Sequence, residues 1–228
     1  MKQLLIVLAI LLTNSLNAQE FTKGIIMPSD EFDVCCIYIP TSGLSVYKVP
    51  NGVSVGKIML GKSEANNEIY TAVIQVGVDE KKLDHTNLYM VGYEIMALVF
   101  EDTIANFIKL KNGYWLSIEE LTSKNLKLIS WMDYLTQKNS EWYANDPGLH
   151  LRVKPTKNSK SIAVFKGDLW GIKPTKTTNG KWCKVIVTQY RKHPCSGEDN
   201  LVIQKLTGWV KLISDEQIPN VWDYAKGC

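Results

Sequence analysis

The chain is poor in the residues on which most enzymes and metal proteins depend. Only three histidines, His85, His150 and His193, occur in 228 residues. No two His or Cys residues are separated by the two to four intervening positions of a structural zinc site, so no metal centre of that kind is expected. The glycines form neither a phosphate-cradling loop nor a dinucleotide fingerprint, which leaves nucleotide chemistry without an anchor and implies no cofactor. Beyond residue 18 no apolar run is long enough to cross a bilayer. Acidic residues nearly vanish from one stretch: Leu149 to Cys195 holds eleven Lys or Arg and a single acid, Asp168. Gln19 to Glu120 has the opposite balance, eight basic residues against fourteen acidic. Opposite fields in one chain allow the basic part either to attract an anionic polymer or to face an acidic neighbour.

What is present begins with a leader. Met1 to Ala18 carries Lys2, an apolar run from Leu4 to Leu12, and Ala18 before Gln19 and Glu20, the pattern of a secretory signal peptide. Cleavage near Ala18 implies a secreted or periplasmic protein of 210 residues, enough for two small domains. Disulfides persist in that setting, but five cysteines cannot all pair within one chain. Cys195 with Cys228 is the first choice, because that bond pins the C-terminus onto the loop holding Cys195. Cys35 and Cys36 are neighbours and point to opposite faces of a strand. Asp30, Glu31 and Asp33 suit either a hard cation or a solvated turn, and no metal site is assigned to them.

After the leader the texture is that of β-structure. In Gly148 to Val164, Leu149 and Leu151 alternate with His150 and Arg152, and Pro155 closes the strand before a polar turn. Gly43 to Ile58 repeats the scheme, with Leu44 and Val46 on one face and Pro50 before the turn. Glu68 to Val76, Leu88 to Phe100 and Phe107 to Ile118 each read as a strand, the second despite its helix-like length. Phe21 to Asp33 reads as an extended lead-in. Asn179-Gly180 predicts a hairpin placing Leu169 to Lys173 antiparallel to Trp182 to Val187, and Arg191 to Asn200 reads as a loop. Between Leu121 and Asn145 the spacing of Trp131, Met132, Tyr134 and Leu135 after Ser130 predicts a short capped helix. Its aromatics, with Trp142 and Tyr143, are either core or a docking surface, and packing is the commoner fate.

Three segment pairs align between the halves: GLSVYKVPNG with GLHLRVKPTK, NEIYTAVIQV with GKWCKVIVTQ, and GYWLSIEEL with TGWVKLISD. The chain thereby resembles the tandem bacterial SH3-like (SH3b) domain proteins, through Leu149 to Pro155, Gly180 to Val185 and Gly208 to Val210. The first copy departs from the pattern, with Tyr47 where Arg is usual and Tyr70 in place of the hairpin Trp. The resemblance implies an all-β fold of two small SH3-like barrels joined by a short helical connector. The parts are then 1–18 signal peptide, 19–120 first barrel, 121–145 connector and 146–228 second barrel with a C-terminal tail.

The resemblance further implies an exported, non-catalytic binding or scaffolding module of the bacterial envelope. Its partner would be peptidoglycan or an envelope protein or peptide, held in barrel grooves around Arg152, Trp182 and Trp209, and around Tyr47, Tyr70 and Trp115. Aromatic side chains suit such recognition because they bury large apolar area at low entropy cost. Three alternatives stand beside it: a thiol-dependent cell-wall enzyme, an enzyme inhibitor, and a self-assembling structural protein in which the acidic half docks on the basic half of another copy. The enzyme needs a thiolate beside an oriented His, a pairing the sequence does not display. Nucleic-acid binding would use Lys154, Lys157, Lys160, Trp170 and Lys184, but export argues against it.

Overall fold

The computed structural model describes residues 22–29, 37–62, 70–84, 86–92, 95–138, 140–198 and 201–223. The signal segment, Asp30, Glu31, Asp33, Cys35, Cys36, His85, Tyr224 and Cys228 lie outside them, as do the side chains of Tyr70 and Cys195. The expected Cys195–Cys228 bond therefore falls outside the described residues. Among these residues strands dominate, and the fold is all-β with two short helices.

Each half opens on the same local device. Strands β2 (Leu44–Tyr47) and β3 (Ser54–Lys62) pair antiparallel, with Leu44 opposite Ile58. In the second half β11 (Trp142–Arg152) and β12 (Ser161–Asn179) pair with Leu149 opposite Phe165. Before each leucine stands a glycine of positive φ, Gly43 at 72° and Gly148 at 113°. A Cβ on either would lie 2.8 Å from the facing carbonyl oxygen, that of Ile58 or Phe165. Only glycine combines that backbone with so close an approach. The equivalence continues at the far end of each strand, where Tyr47 faces Trp115 of β9 (Trp115–Ser117) and Arg152 faces Trp209 of β14 (Val202–Lys211).

The sheets then diverge. In the second half β13 (Trp182–Tyr190) links β12 to β14, and β11 pairs with both β12 and β14, so the sheet returns on itself. The added strand β15 (Val221–Asp223) pairs with β11. The Asn179-Gly180 turn forms as expected, with Gly180 at φ 54° and Ile172 opposite Val187. The strand expected from Leu169 to Lys173 is the middle of a longer one, since β12 runs unbroken for 19 residues from Ser161. Gly167, at φ 73°, bends it without ending the ladder.

The first half builds a ten-stranded sheet instead. From β2 it runs one way through β3, β4 (Tyr70–Val76) and β5 (Asp79–Lys82). The other way it passes β9, β8 (Phe107–Leu110), β7 (Ile95–Ile104), β1 (Gly24–Pro28) and β10 (Leu126–Ser130). The remaining strand, β6 (Leu88–Gly92), pairs with β7. Three expectations are corrected here, and the extended lead-in takes a place in the sheet. Leu88 to Phe100 is a hairpin, because Gly92 comes opposite Ile95 and the chain reverses. Phe107 to Ile118 is divided by a turn at Gly113, φ 89°. The lead-in is β1, with Ile25 and Ile26 fully buried between β7 and β10. The connector likewise gives β10 to the first sheet.

Helix α1 (Ile118–Ser123) was not expected, although Ser117 and Glu120 have the spacing of a capping box. Ser117 Oγ accepts from the Glu120 N–H at 3.3 Å. The Glu120 carboxylate accepts from the Ser45 N–H and hydroxyl at 3.1 Å and from Lys124 Nζ at 2.7 Å, tying α1 to β2. Burial pushes this carboxyl up, but Lys124 and the Ser45 donors outweigh burial and hold it below the ordinary range. A lowered folded-state pKa adds stability above the unfolded value, about 4.3, that is lost as pH falls through the lowered folded value. Glu120→Gln is expected to cost about 1–3 kcal/mol at neutral pH. Urea midpoints at pH 7 and on the acid side check it: the gap between wild type and variant narrows as pH falls.

Helix α2 (Trp131–Gln137) forms as expected, with Ser130 Oγ accepting from the Asp133 N–H at 3.1 Å. Its apolar face is core. Trp131, Tyr134, Trp142 and Tyr143 are all buried, which removes the docking-surface alternative. Tyr134 meets Trp142 edge-on at 5.6 Å, and Tyr89 meets Trp131 at 4.8 Å. One apolar cluster runs from Ile25 and Ala97 of the first sheet through α2 to Leu151, Phe165, Val185 and Val210 of the second. A separate cluster fills the first sheet around Leu44, Ile58, Leu98, Ile108 and Leu116.

Candidate functional site: a cationic cleft in the second half

Equivalent positions in the two halves have different surroundings. Tyr47 packs edge-on against Phe107 at 5.4 Å, and Trp115 is 8% exposed with Lys109 Nζ 5.8 Å from its ring centre. Tyr47 and Trp115 do meet in register, but both are engaged in packing. Tyr70 begins β4, opposite Lys62.

In the second half a cleft of about 230 Å³ opens beside β11, lined by Gly148, Leu149, His150, Arg152, Lys157, Trp182, Lys211 and Asn220. Arg152 and Trp182 are brought together here. Trp209 faces Arg152 across the ladder, and Lys184 on its other side, without lining the cleft. Alternation along β13 buries Cys183, Val185 and Val187 and turns Trp182 and Lys184 to the other face. Trp182 is half-buried, the state of a ring that can still be covered.

The loop after β11 positions the cations. Arg152 Nη1 donates to the Ser159 carbonyl at 2.6 Å, and the Lys154 N–H donates to Ser159 Oγ at 2.8 Å, closing the loop that carries Lys157. His150 Nδ1 lies 3.2 Å from Ser161 Oγ. Asp215 is the hub: Lys157 Nζ at 2.8 Å, Lys211 Nζ at 2.6 Å and Lys181 Nζ at 3.6 Å all approach its carboxylate. Lys157 first, then Lys211, hold this carboxyl well below the usual range, and the same contact raises Lys157. The Lys211 and Lys181 side chains are only 17% and 18% exposed. Three lysines thus share the Asp215 carboxylate, while Arg152 lines the same cleft with its guanidinium on the Ser159 carbonyl. Sequence reasoning found Arg152 and Trp182 and named Lys157 only for nucleic-acid binding; it missed Lys181, Lys211, Asp215 and Asn220, since Lys157 and Asp215 are 58 positions apart.

Two larger hollows, of about 310 and 470 Å³, flank Leu83 in the first half. Their charges balance, Asp79 and Asp84 against Lys81 and Lys82, and the buried Asn87 is satisfied by Asp84 and the Asn112 N–H. They lack the directional chemistry of the cleft. Cys183 is fully buried; its Sγ donates to the Thr175 carbonyl at 3.2 Å, and burial pushes the thiol up to about 11. It is a thiol, not a thiolate, at neutral pH. Among the described residues no three His, Cys, Asp or Glu side chains gather as a metal would require, and no helix is long and apolar enough to cross a membrane. Compared with protein-family models, curated proteins and solved structures, the chain matches none.

Proposed function

We propose that this is an exported, non-catalytic binding module of the bacterial envelope, built from two SH3-like repeats, that holds peptidoglycan or an envelope peptide in the second-half cleft. The observation that carries it is the cleft itself: a half-buried Trp182 facing Arg152, Lys157 and Lys211 on a sheet that returns on itself. The repeated glycine, the Leu44/Leu149 pairing and the Tyr47–Trp115 and Arg152–Trp209 registers support descent of both halves from one unit. Divergence left the first unit packed and the second open. The leader pattern of residues 1–18 supports secretion or a periplasmic location. The thiol-enzyme alternative gains nothing from Cys183, whose buried thiol is held in its neutral form.

Sedimentation with purified peptidoglycan sacculi, at low and moderate salt, tests the reading. Wild type is expected to be retained, and a Trp182→Ala, Trp209→Ala variant with a native circular dichroism spectrum is expected to be lost from the pellet. No retention of wild type at either salt rules out the wall as partner and leaves an envelope peptide. Equal retention of the folded variant removes the cleft from the account.

A further inference from the structure

The cleft's charge is out of balance in a way that folding alone does not explain. Lys181 and Lys211 are largely withdrawn from water, and burying ammonium groups is unfavourable without counter-charge. Among the described residues Asp215 is the one carboxylate within ion-pair distance of them; it is itself 57% exposed and is shared with Lys157, and Glu216 adds a second, more distant negative charge. Arg152 adds a fourth cation and binds only a neutral carbonyl. Among the described residues no carboxylate lines the cleft. A second anion placed there would meet Arg152, Lys157 and Lys211 together, in a partly desolvated site where each contact counts for more than in water.

The opposite wall narrows the choice of anion. Leu149 and Trp182 supply an apolar surface beside the cations, within a volume of about 230 Å³. That is room for one amino-acid residue with its charged end against Arg152 and its body against the indole. An inorganic anion would leave the apolar wall uncovered, and a long polyanion would extend well beyond a cleft of about 230 Å³.

We infer that the cleft is a receptor for a peptide's terminal carboxylate, with Arg152, Lys157 and Lys211 holding the carboxylate and Leu149 and Trp182 covering the last side chain. This rests on the reading of the cleft as the ligand site. Asp215 then has a second role as resident competitor. It holds Lys157 and Lys211 in place while the cleft is empty, and an entering carboxylate shares those lysines with it. Removing its charge therefore strengthens ligand binding while costing stability.

The test is a titration of the intact ¹⁵N-labelled chain with N-acetyl-alanyl-alanine as the free acid, as its C-terminal amide, and with inorganic phosphate, following the Trp182 indole N–H. The free acid is expected to give a saturable shift that weakens as salt rises, and the amide none. Lys157→Glu, at a site 69% exposed and so tolerant of change, is expected to weaken the acid by about tenfold or more. Asp215→Asn is expected to tighten it by about three- to tenfold. Equal shifts by acid and amide, or no shift by either, overturn the inference, as does an unchanged affinity in both variants. Tighter binding of phosphate than of the acid overturns it in favour of a phosphate ligand. Sacculus retention without acid binding defeats this inference and leaves the wall reading standing. Acid binding without retention does the reverse.

Discussion

Trp142→Ala is expected to lower the free energy of unfolding by about 3–5 kcal/mol, a large part of what a domain of this size possesses. The indole is fully buried, and its Nε1 donates to the Leu135 carbonyl at 3.2 Å. Tyr134 meets it edge-on at 5.6 Å, and Lys138 Nζ sits 5.6 Å from its ring centre. Trp142 also lies where β11 is flanked on both sides, opposite Ile172 of β12 and Asp223 of β15. Truncation leaves a cavity where α2 and both sheets contribute to one apolar cluster, so neither side collapses into it freely. It also removes the indole hydrogen bond to the Leu135 carbonyl. Guanidinium unfolding followed by circular dichroism checks the magnitude. Trp142→Phe is expected to retain more than half of the stability lost by the alanine variant. A loss below about 1 kcal/mol for alanine would show that the shared cluster is not a cooperative joint between the halves.

Gly56→Ala is the second large effect expected, at about 3 kcal/mol or more, from the addition of one methyl group. Gly56 lies in β3 opposite Val76 of β4, and a Cβ built on it overlaps the Gln75 carbonyl oxygen and falls 2.9 Å from its carbon. The obstacle is backbone, so no rotamer change relieves it. The β3–β4 ladder has to part, and with it the wall that carries Ile58, Ala72 and Ile74 into the first core. Gly92→Ala provides the comparison: its Cβ would find Ile95 at 3.5 Å, ordinary contact distance. That variant is expected to stay within about 1 kcal/mol of wild type. Thermal unfolding of the pair separates a steric requirement at Gly56 from a general penalty for alanine in strands. Equal stabilities for the two variants would mean that β3 and β4 can separate at little cost.

What the sequence by itself determined is what short-range chemistry controls. Alternation of Leu149 and Leu151 with His150 and Arg152 sets a half-buried strand, because side chains project to opposite faces with a period of two. Asn179-Gly180 sets a hairpin, because its turn needs a residue of positive φ. Ser130 sets the start of α2 by supplying the acceptor that the first turn lacks. The internal repeat was legible for the same reason: both halves use one local solution, a glycine packed on a carbonyl before an alternating strand. Arg152 and Trp182 could be chosen as partners because the motif resemblance draws both to one groove, although β14 stands between their strands in the sheet.

Only the tertiary structure decided the rest. The apolar run from Leu88 to Phe100 carries no alternation that marks a break, and its reversal is recorded only by the β6–β7 pairing, Leu88 opposite Leu98 and Gly92 opposite Ile95. The lead-in and the connector became β1 and β10 through long-range pairing, β1 with β7 on one side and with β10 on the other. The second sheet returns on itself because β13 pairs with β14 while β11 meets both β12 and β14, whereas β4 pairs with β3 and β5, a matter of pairing that no window of sequence records. The cleft belongs to the same class. Lys157, Lys181, Lys211 and Asp215 come from separate loops and strands, and Coulomb attraction acts over distance in space, not over distance along the chain.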